Sequence, residues 1–220
     1  MQERFDKARQ RMIEGQVCPN RVTDVAVLEV MRRIPREKFL PEPLQGIAYI
    51  DEDIALGNGR YLPEPMILAR LLQAACVRKT DIALDIGCGT GYSSAVLGGL
   101  CSHVTGLEQD QKMVSESFAL LNRLGISNVQ IVQENHMQNG YTKKAPYDVI
   151  LINGSAAAIP EKIKSQLAEG GRLASVVSDN GHMGVAVLIT HHGGGFSTRK
   201  LFDAATPFLA GFEARKNFVF

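Results

Sequence analysis

Gly87, Gly89 and Gly91 alternate with Cys88 and Thr90 directly behind an apolar run, Ile82 to Ile86, that carries one acid, Asp85. A stretch of helical character, Tyr92 to Leu100, follows. Glycine allows the positive φ of a tight turn and lets a ligand touch the main chain. The start of a helix offers unpaired N–H groups to a bound polar group. A carboxylate at the strand end beside such a turn suits a ligand that carries positive charge. A second acid, Glu108, ends the next apolar run, 103–107. About 20 residues beyond the first glycine is where nucleotide-binding α/β folds place the acid that holds ribose hydroxyls. The bland alternatives are a glycine turn without a ligand and a solvated charge at a strand end.

The spacing separates two cofactor classes. A dinucleotide fingerprint, G-x-G-x-x-G, requires a third glycine at 92, and that residue is Tyr92. The G-x-G-x-G spacing behind an acid instead resembles the first motif of S-adenosylmethionine (AdoMet) methyltransferases. That resemblance implies a cofactor with a sulfonium cation and no pyrophosphate, in keeping with Asp85 and Glu108.

These residues need strands to hold them. From 82 onward strands and helices alternate: strands at 82–86, 103–107, 129–132, 148–153, 172–177, 185–190 and 198–204, and helices at 92–100, 110–124 and 160–167. The run 148–153 is apolar without alternation, as a strand buried on both faces should be. The last two strands are expected to form a hairpin joined across 191–195. The pattern implies an α/β fold with a mostly parallel seven-stranded sheet and a late antiparallel hairpin. Before the first strand, helices are expected at 3–15, stopped by Gly15, at 25–33, capped by Thr23 or Asp24, and at 64–76, opened by prolines. The stretch 36–59, rich in proline and glycine, is expected to be a long functional loop. The division is thus a helical segment with the acceptor loop, 1–80, and a cofactor-binding α/β core, 81–220, together one compact domain.

Composition narrows the function. The formal net charge is +1, so no bulk basic excess points to nucleic acid. The four cysteines form no C-x-x-C pair, so zinc spacing is absent and no metal is expected; they read as reduced thiols of a cytoplasmic protein. No apolar run reaches the length of a membrane span, and the N-terminus lacks the apolar core of a signal peptide. Composition leaves the oligomeric state open.

Over nearly its whole length the chain resembles the protein-L-isoaspartate O-methyltransferase family. Ile34-Pro35-Arg36-Glu37-Lys38-Phe39 is similar to that family's V-P-R-x-x-F signature, and Ala48-Tyr49 with Ile54-Ala55-Leu56-Gly57 to its next segment. The glycine loop, Pro146-Tyr147-Asp148, Ile159-Pro160 and the run from Gln166 to Leu173 resemble its later motifs. The resemblance implies a Rossmann-like methyltransferase fold and transfer of a methyl group from AdoMet to the free carboxylate of an isoaspartyl residue in a damaged protein or peptide, leaving S-adenosylhomocysteine. It implies cofactor binding by Asp85, Gly87, Cys88, Gly89, Gly91, Tyr92, Glu108 and Gln109. Asn135 and His136 stand at the family's G-D-G near the adenine. The acceptor site falls at Arg60, Tyr61 and Pro63. Proline replaces the family's serine of Q-T-I-S-x-P and has neither hydroxyl nor N–H to donate. Arg60 could pair with an acceptor carboxylate bidentately, or be a surface arginine. The late F-V-P-L motif is reduced here to Phe208-Leu209-Ala210-Gly211. Two other enzyme and non-enzyme readings stay open: a different methyl acceptor, and a cofactor-binding module without transfer.

Overall fold

Apolar runs bounded by turn residues become a seven-stranded sheet in the computed structural model, which describes residues 2–214. Residue 1 and residues 215–220, at the outer ends of the segments 1–80 and 81–220, lie outside the described residues. A small hairpin, β1 (Ile54–Gly57) and β2 (Arg60–Leu62), precedes the main sheet. The sheet holds β3 (Ile82–Ile86), β4 (His103–Glu108), β5 (Val129–Gln133), β6 (Tyr147–Ala156), β7 (Leu167–Ser178), β8 (Met183–His192) and β9 (Gly195–Ala205). Its order is β5-β4-β3-β6-β7-β8-β9. Strands β3 to β7 pair in parallel and β8 and β9 antiparallel, which is the mostly parallel sheet with a late hairpin that the sequence implies. The chain runs outward from β3 through β4 to β5, then returns to place β6 on the other side of β3. That reversal opens a crevice beyond the carboxyl ends of β3 and β6, where ligands bind in open α/β sheets.

The helices are α1 (Gln2–Met12), α2 (Val25–Arg33), α3 (Pro65–Ala75), α4 (Tyr92–Leu100), α5 (Gln111–Arg123) and α6 (Glu161–Lys164). Asp24 and Asp110 cap α2 and α5, each accepting two backbone N–H groups, which satisfies donors the first turn leaves free. One apolar cluster joins Met12, Val27, Met31, Leu68 and Leu72 of the first three helices to Ala83, Val104, Val149 and Leu188 of the sheet. On the other face, Leu84, Ile86, Leu107, Ile150 and Ile152 pack with Ile163 and Leu209. No helix among the described residues is long and apolar enough to cross a membrane.

Four local expectations change. Gly15 does not end the first helix: a π turn, Ile13–Val17, carries the chain past it because Ile13 and Val17 are both buried. The stretch 36–59 is not one loop. It contains two 3-10 turns, Arg36–Phe39 and Glu42–Ile47, and the strand β1. The turn after β1 is Asn58-Gly59, with φ of 51° and 68°, the left-handed pair that a two-residue hairpin requires. The helix expected over 160–167 is only four residues long, because Leu167 is drawn into β7 opposite Tyr147. The late hairpin turns on Gly193-Gly194 alone, and His191 and His192 belong to β8.

Candidate active site

The glycine loop folds over the end of β4. Gly87 and Cys88 both donate their backbone N–H to Leu107 O, at 2.9 and 3.0 Å. Gly87, Gly89 and Gly91 have φ of 78°, 56° and 91°, values that a side chain would strain. Gly91 precedes α4, whose first turn carries Ser93 and Ser94. Both serine hydroxyls donate to Asp85 Oδ2, and Asn153 of β6 donates its amide N–H to Asp85 Oδ1. Asp85 is fully buried. Burial pushes its carboxyl up to about 6, against the lowering pull of those bonds and of Arg60. Asp85 thus ties β3, α4 and β6 together beneath the loop.

Glu108 ends β4 with 0 % exposure. Its Oε1 accepts from the backbone N–H of Gln109 at 2.8 Å and of Asp110 at 3.1 Å. Its Oε2 accepts from Gly89 N at 2.8 Å and from Arg60 Nε and Nη2 at 3.1 and 3.0 Å. Arg60 also donates from Nη2 to Gly87 O at 2.6 Å and is 4 % exposed. The Asn58-Gly59 turn directs this arginine inward, since it sets Arg60 at the head of β2. The arginine expected to meet an acceptor carboxylate therefore meets the chain's own.

The remaining expected residues are spread around this centre. Tyr61 and Pro63 border a cavity of about 10 Å³ with Asp53, Asn153 and the 206–209 stretch. Pro63 O accepts from Arg36 Nη2 at 2.7 Å. Cys88 is buried, and burial first, then Asp85 and Glu108, holds its thiol well above the usual range; it is a neutral packing group. Tyr92 points away from the loop into the N-terminal segment, where its ring meets Phe39 edge-on and lies 4.9 Å from the Arg36 guanidinium carbon. Gln109 contributes its backbone and is exposed, as are Asn135 and His136. His136 borders an open hollow of about 600 Å³ together with Gln138, Lys162 and Phe212. Among the described residues no group of three His, Cys, Asp or Glu side chains is placed to hold a metal ion, and the four cysteines are free thiols.

Four contributors lie outside the candidate residues that the sequence singles out. Ser93 and Ser94 open the helix behind the loop, and Asn153 stands near the carboxyl end of the central strand; that position was the available signal. Leu209 had a signal only in the reduced late motif. Its stretch runs beside the end of β6: Ser155 N donates to Pro207 O and Leu209 N to Ser155 O, at 2.8 and 2.9 Å. Gly154 lets that backbone approach, for a Cβ there would lie 3.0 Å from Leu209 N.

Comparison with known proteins bears on the whole arrangement. The family model for protein-L-isoaspartate(D-aspartate) O-methyltransferase matches residues 7–203. Protein-L-isoaspartate O-methyltransferase 1 of Rhodopseudomonas palustris (strain HaA2) is 37 % identical over 169 residues, 77 % of this chain and 69 % of its own. Protein-L-isoaspartate O-methyltransferase 2 of Marinobacter nauticus is 35 % identical over 182 residues, 83 % of each chain. A solved protein-L-isoaspartate O-methyltransferase superposes with a TM-score of 0.80 at 24 % identity, covering 93 % of this chain and 67 % of the other. A structure from Plasmodium falciparum, solved in complex with S-adenosyl-L-homocysteine, gives 0.77 at 24 % identity, with 93 % and 97 % covered. These two likenesses speak to the fold, a Rossmann-like methyltransferase fold. With a family model spanning nearly all of the described chain and relatives above 30 % identity, the chain belongs to the protein-L-isoaspartate(D-aspartate) O-methyltransferase family.

Proposed function

We propose that this chain is an AdoMet-dependent methyltransferase that esterifies the free carboxylate of isoaspartyl residues in damaged proteins. The observation that carries the reading is the family match over residues 7–203. The glycine loop and Asp85 at the end of β3, with Glu108 at the end of the neighbouring β4, support it by lying beside the switch point between β3 and β6, as a nucleoside site requires. Four free thiols suit a reducing compartment, which favours the cytoplasm.

The donor's chemistry fits these residues, but its volume does not fit this arrangement. A carboxylate at the end of β4 suits ribose hydroxyls, yet pockets for molecules of this size hold roughly 300–1,000 Å³. The space at Arg60, Tyr61 and Asn153 is about 10 Å³, room for about one water, and the hollow of about 460 Å³ that touches the loop at Thr90 is lined by neither Gly87 nor Glu108. What the chain's own residues do toward an acceptor is simpler. The free carboxylate of an isoaspartyl residue is an α-carboxyl, with a reference pKa of about 3.5, and needs no general base at neutral pH. The protein must hold it and exclude water, a contribution of roughly 7–11 kcal/mol when positioning is good. The hairpin and Pro63, anchored through Arg36, form that wall.

The test is transfer of labelled methyl from AdoMet to an isoaspartyl peptide, with the aspartyl peptide as control. Base-labile label on the isoaspartyl peptide alone is the expected result. Label on other acceptors only would move the assignment to a different substrate. Binding of AdoMet without any transfer would make the chain a non-catalytic module, a second reading favoured by Pro63, which has no hydroxyl to offer.

A further inference from the structure

The place a nucleoside would take on this loop is already bound from within. A carboxylate has about four lone-pair sites on its two oxygens, and Glu108 already accepts five contacts: two from Arg60 and three from the backbone N–H groups of Gly89, Gln109 and Asp110. It has no acceptor capacity left for ribose hydroxyls. The open face of Gly87 is covered as well. A Cβ built there would lie 2.5 Å from Leu209 Cδ1 and 2.8 Å from Arg60 Nη2, so these two side chains sit where the loop would otherwise touch a ligand.

Neither group is a loose side chain. Arg60 adds a bond to Gly87 O, and its hairpin is fixed by the register Ala55 to Tyr61 and Gly57 to Arg60. Leu209 is 1 % exposed, and its backbone is bonded to Ser155 and seated on Gly154. An ion pair this buried is held by geometry, and removing one partner leaves the other unpaired at high cost.

We infer that Arg60 and Leu209 form an internal plug in the donor site, so that a nucleoside cofactor binds this chain only by displacing them. The plug lowers apparent affinity by the fraction of molecules in which it is open. A substitution that opens it raises affinity for the cofactor, the opposite of what removing a ligand-binding residue does. The inference deepens the proposed function and rests on it only for the choice of probe, S-adenosylhomocysteine.

The experiment is titration calorimetry of the full chain with S-adenosylhomocysteine, comparing the natural protein with Arg60→Gln, Leu209→Ala and the double variant. Circular dichroism melting accompanies each titration. Leu209→Ala keeps the Arg60–Glu108 pair, so one variant is protected from the loss of a buried partner. The plug predicts that Arg60→Gln binds roughly tenfold tighter or more, the factor of one charge-assisted hydrogen bond freed on Glu108, that Leu209→Ala binds tighter than the natural protein by uncovering the face of Gly87, and that the double variant binds tightest. Tight binding by the natural protein that is unchanged or weakened in the variants would overturn the plug and leave the donor reading standing. Absence of binding in all four folded proteins would overturn both.

Discussion

Asp85 makes a prediction that needs no substrate. Its carboxyl is pushed up to about 6 in the folded chain, from an ordinary value of 3.8. The first cause is burial, which disfavours the charged form. Between those two pH values the folded state keeps a proton that the unfolded chain has released. Stability then falls as pH rises, because the folded state binds more protons. The contribution is fully present below about 3.8 and is lost as pH passes through about 6. At about 1.4 kcal/mol per pH unit of difference, the loss is about 3 kcal/mol, a large part of a typical folding stability of about 5–15 kcal/mol. Asp85→Asn keeps the shape, and the serine hydroxyls can turn to bond an amide, but the titration is gone. The assay is urea unfolding of both proteins at half-unit steps from pH 4 to 7.5. Groups elsewhere act equally on both, so the difference curve isolates Asp85. Expected is a fall of about 2.4 kcal/mol in natural minus variant stability across that range, the part of the loss that lies above pH 4. A difference flat to within about 0.5 kcal/mol, or one rising with pH, would refute the account of a desolvated carboxyl beneath the glycine loop.

Arg36 is fully buried and donates to Ala48 O and Pro63 O, both at 2.7 Å, with Tyr92 against its guanidinium; Arg36→Ala leaves two carbonyls unpaired and a large side chain's space empty and should cost about 3–5 kcal/mol, seen as a fall in Tm of roughly 6–20 °C for a chain of this size, and a Tm within about 2 °C of the natural protein would contradict that role. Glu64 follows Pro63, and burial, then Asp51 and Asp53, pushes its carboxyl up to about 7. Its stabilising contribution is present below its ordinary value and lost as pH rises through about 7, where it also gains a charge that repels an anionic acceptor. KM for isoaspartyl peptide should therefore rise between pH 6 and 8 in the natural protein and stay flat in Glu64→Gln; parallel profiles would remove Glu64 from the acceptor wall. Pro63→Ser puts a hydroxyl at the proposed acceptor wall and should raise kcat/KM for the peptide by up to roughly 10- to 150-fold, the range of one charge-assisted hydrogen bond, with cofactor affinity nearly constant; no gain in a folded variant would mean that the wall is built for another acceptor.

The sequence by itself determined the sheet and the strand ends at which the candidate site residues stand. Local signals sufficed there: an unbroken apolar run for β6, Asp24 and Asp110 as caps, and three alternating glycines whose φ values no other residue adopts cheaply. Their spacing placed Asp85 and Glu108 at strand ends, and parallel pairing then brought those ends together. Asn58-Gly59 is a legible turn signal as well, although the prolines and glycines of 36–59 around it give the pattern of one long loop. What the tertiary structure alone decided is what faces those acids. Arg60 and Glu108 are 48 residues apart, and Leu209 comes to Gly87 only because its stretch lies along the end of β6. Nothing local to any of them encodes that meeting. It follows from the hairpin's register, the strand order and a glycine at 154 that lets one backbone lie on another. Residue type therefore showed which groups could bind a cofactor, and only the packing showed that the chain itself already holds them.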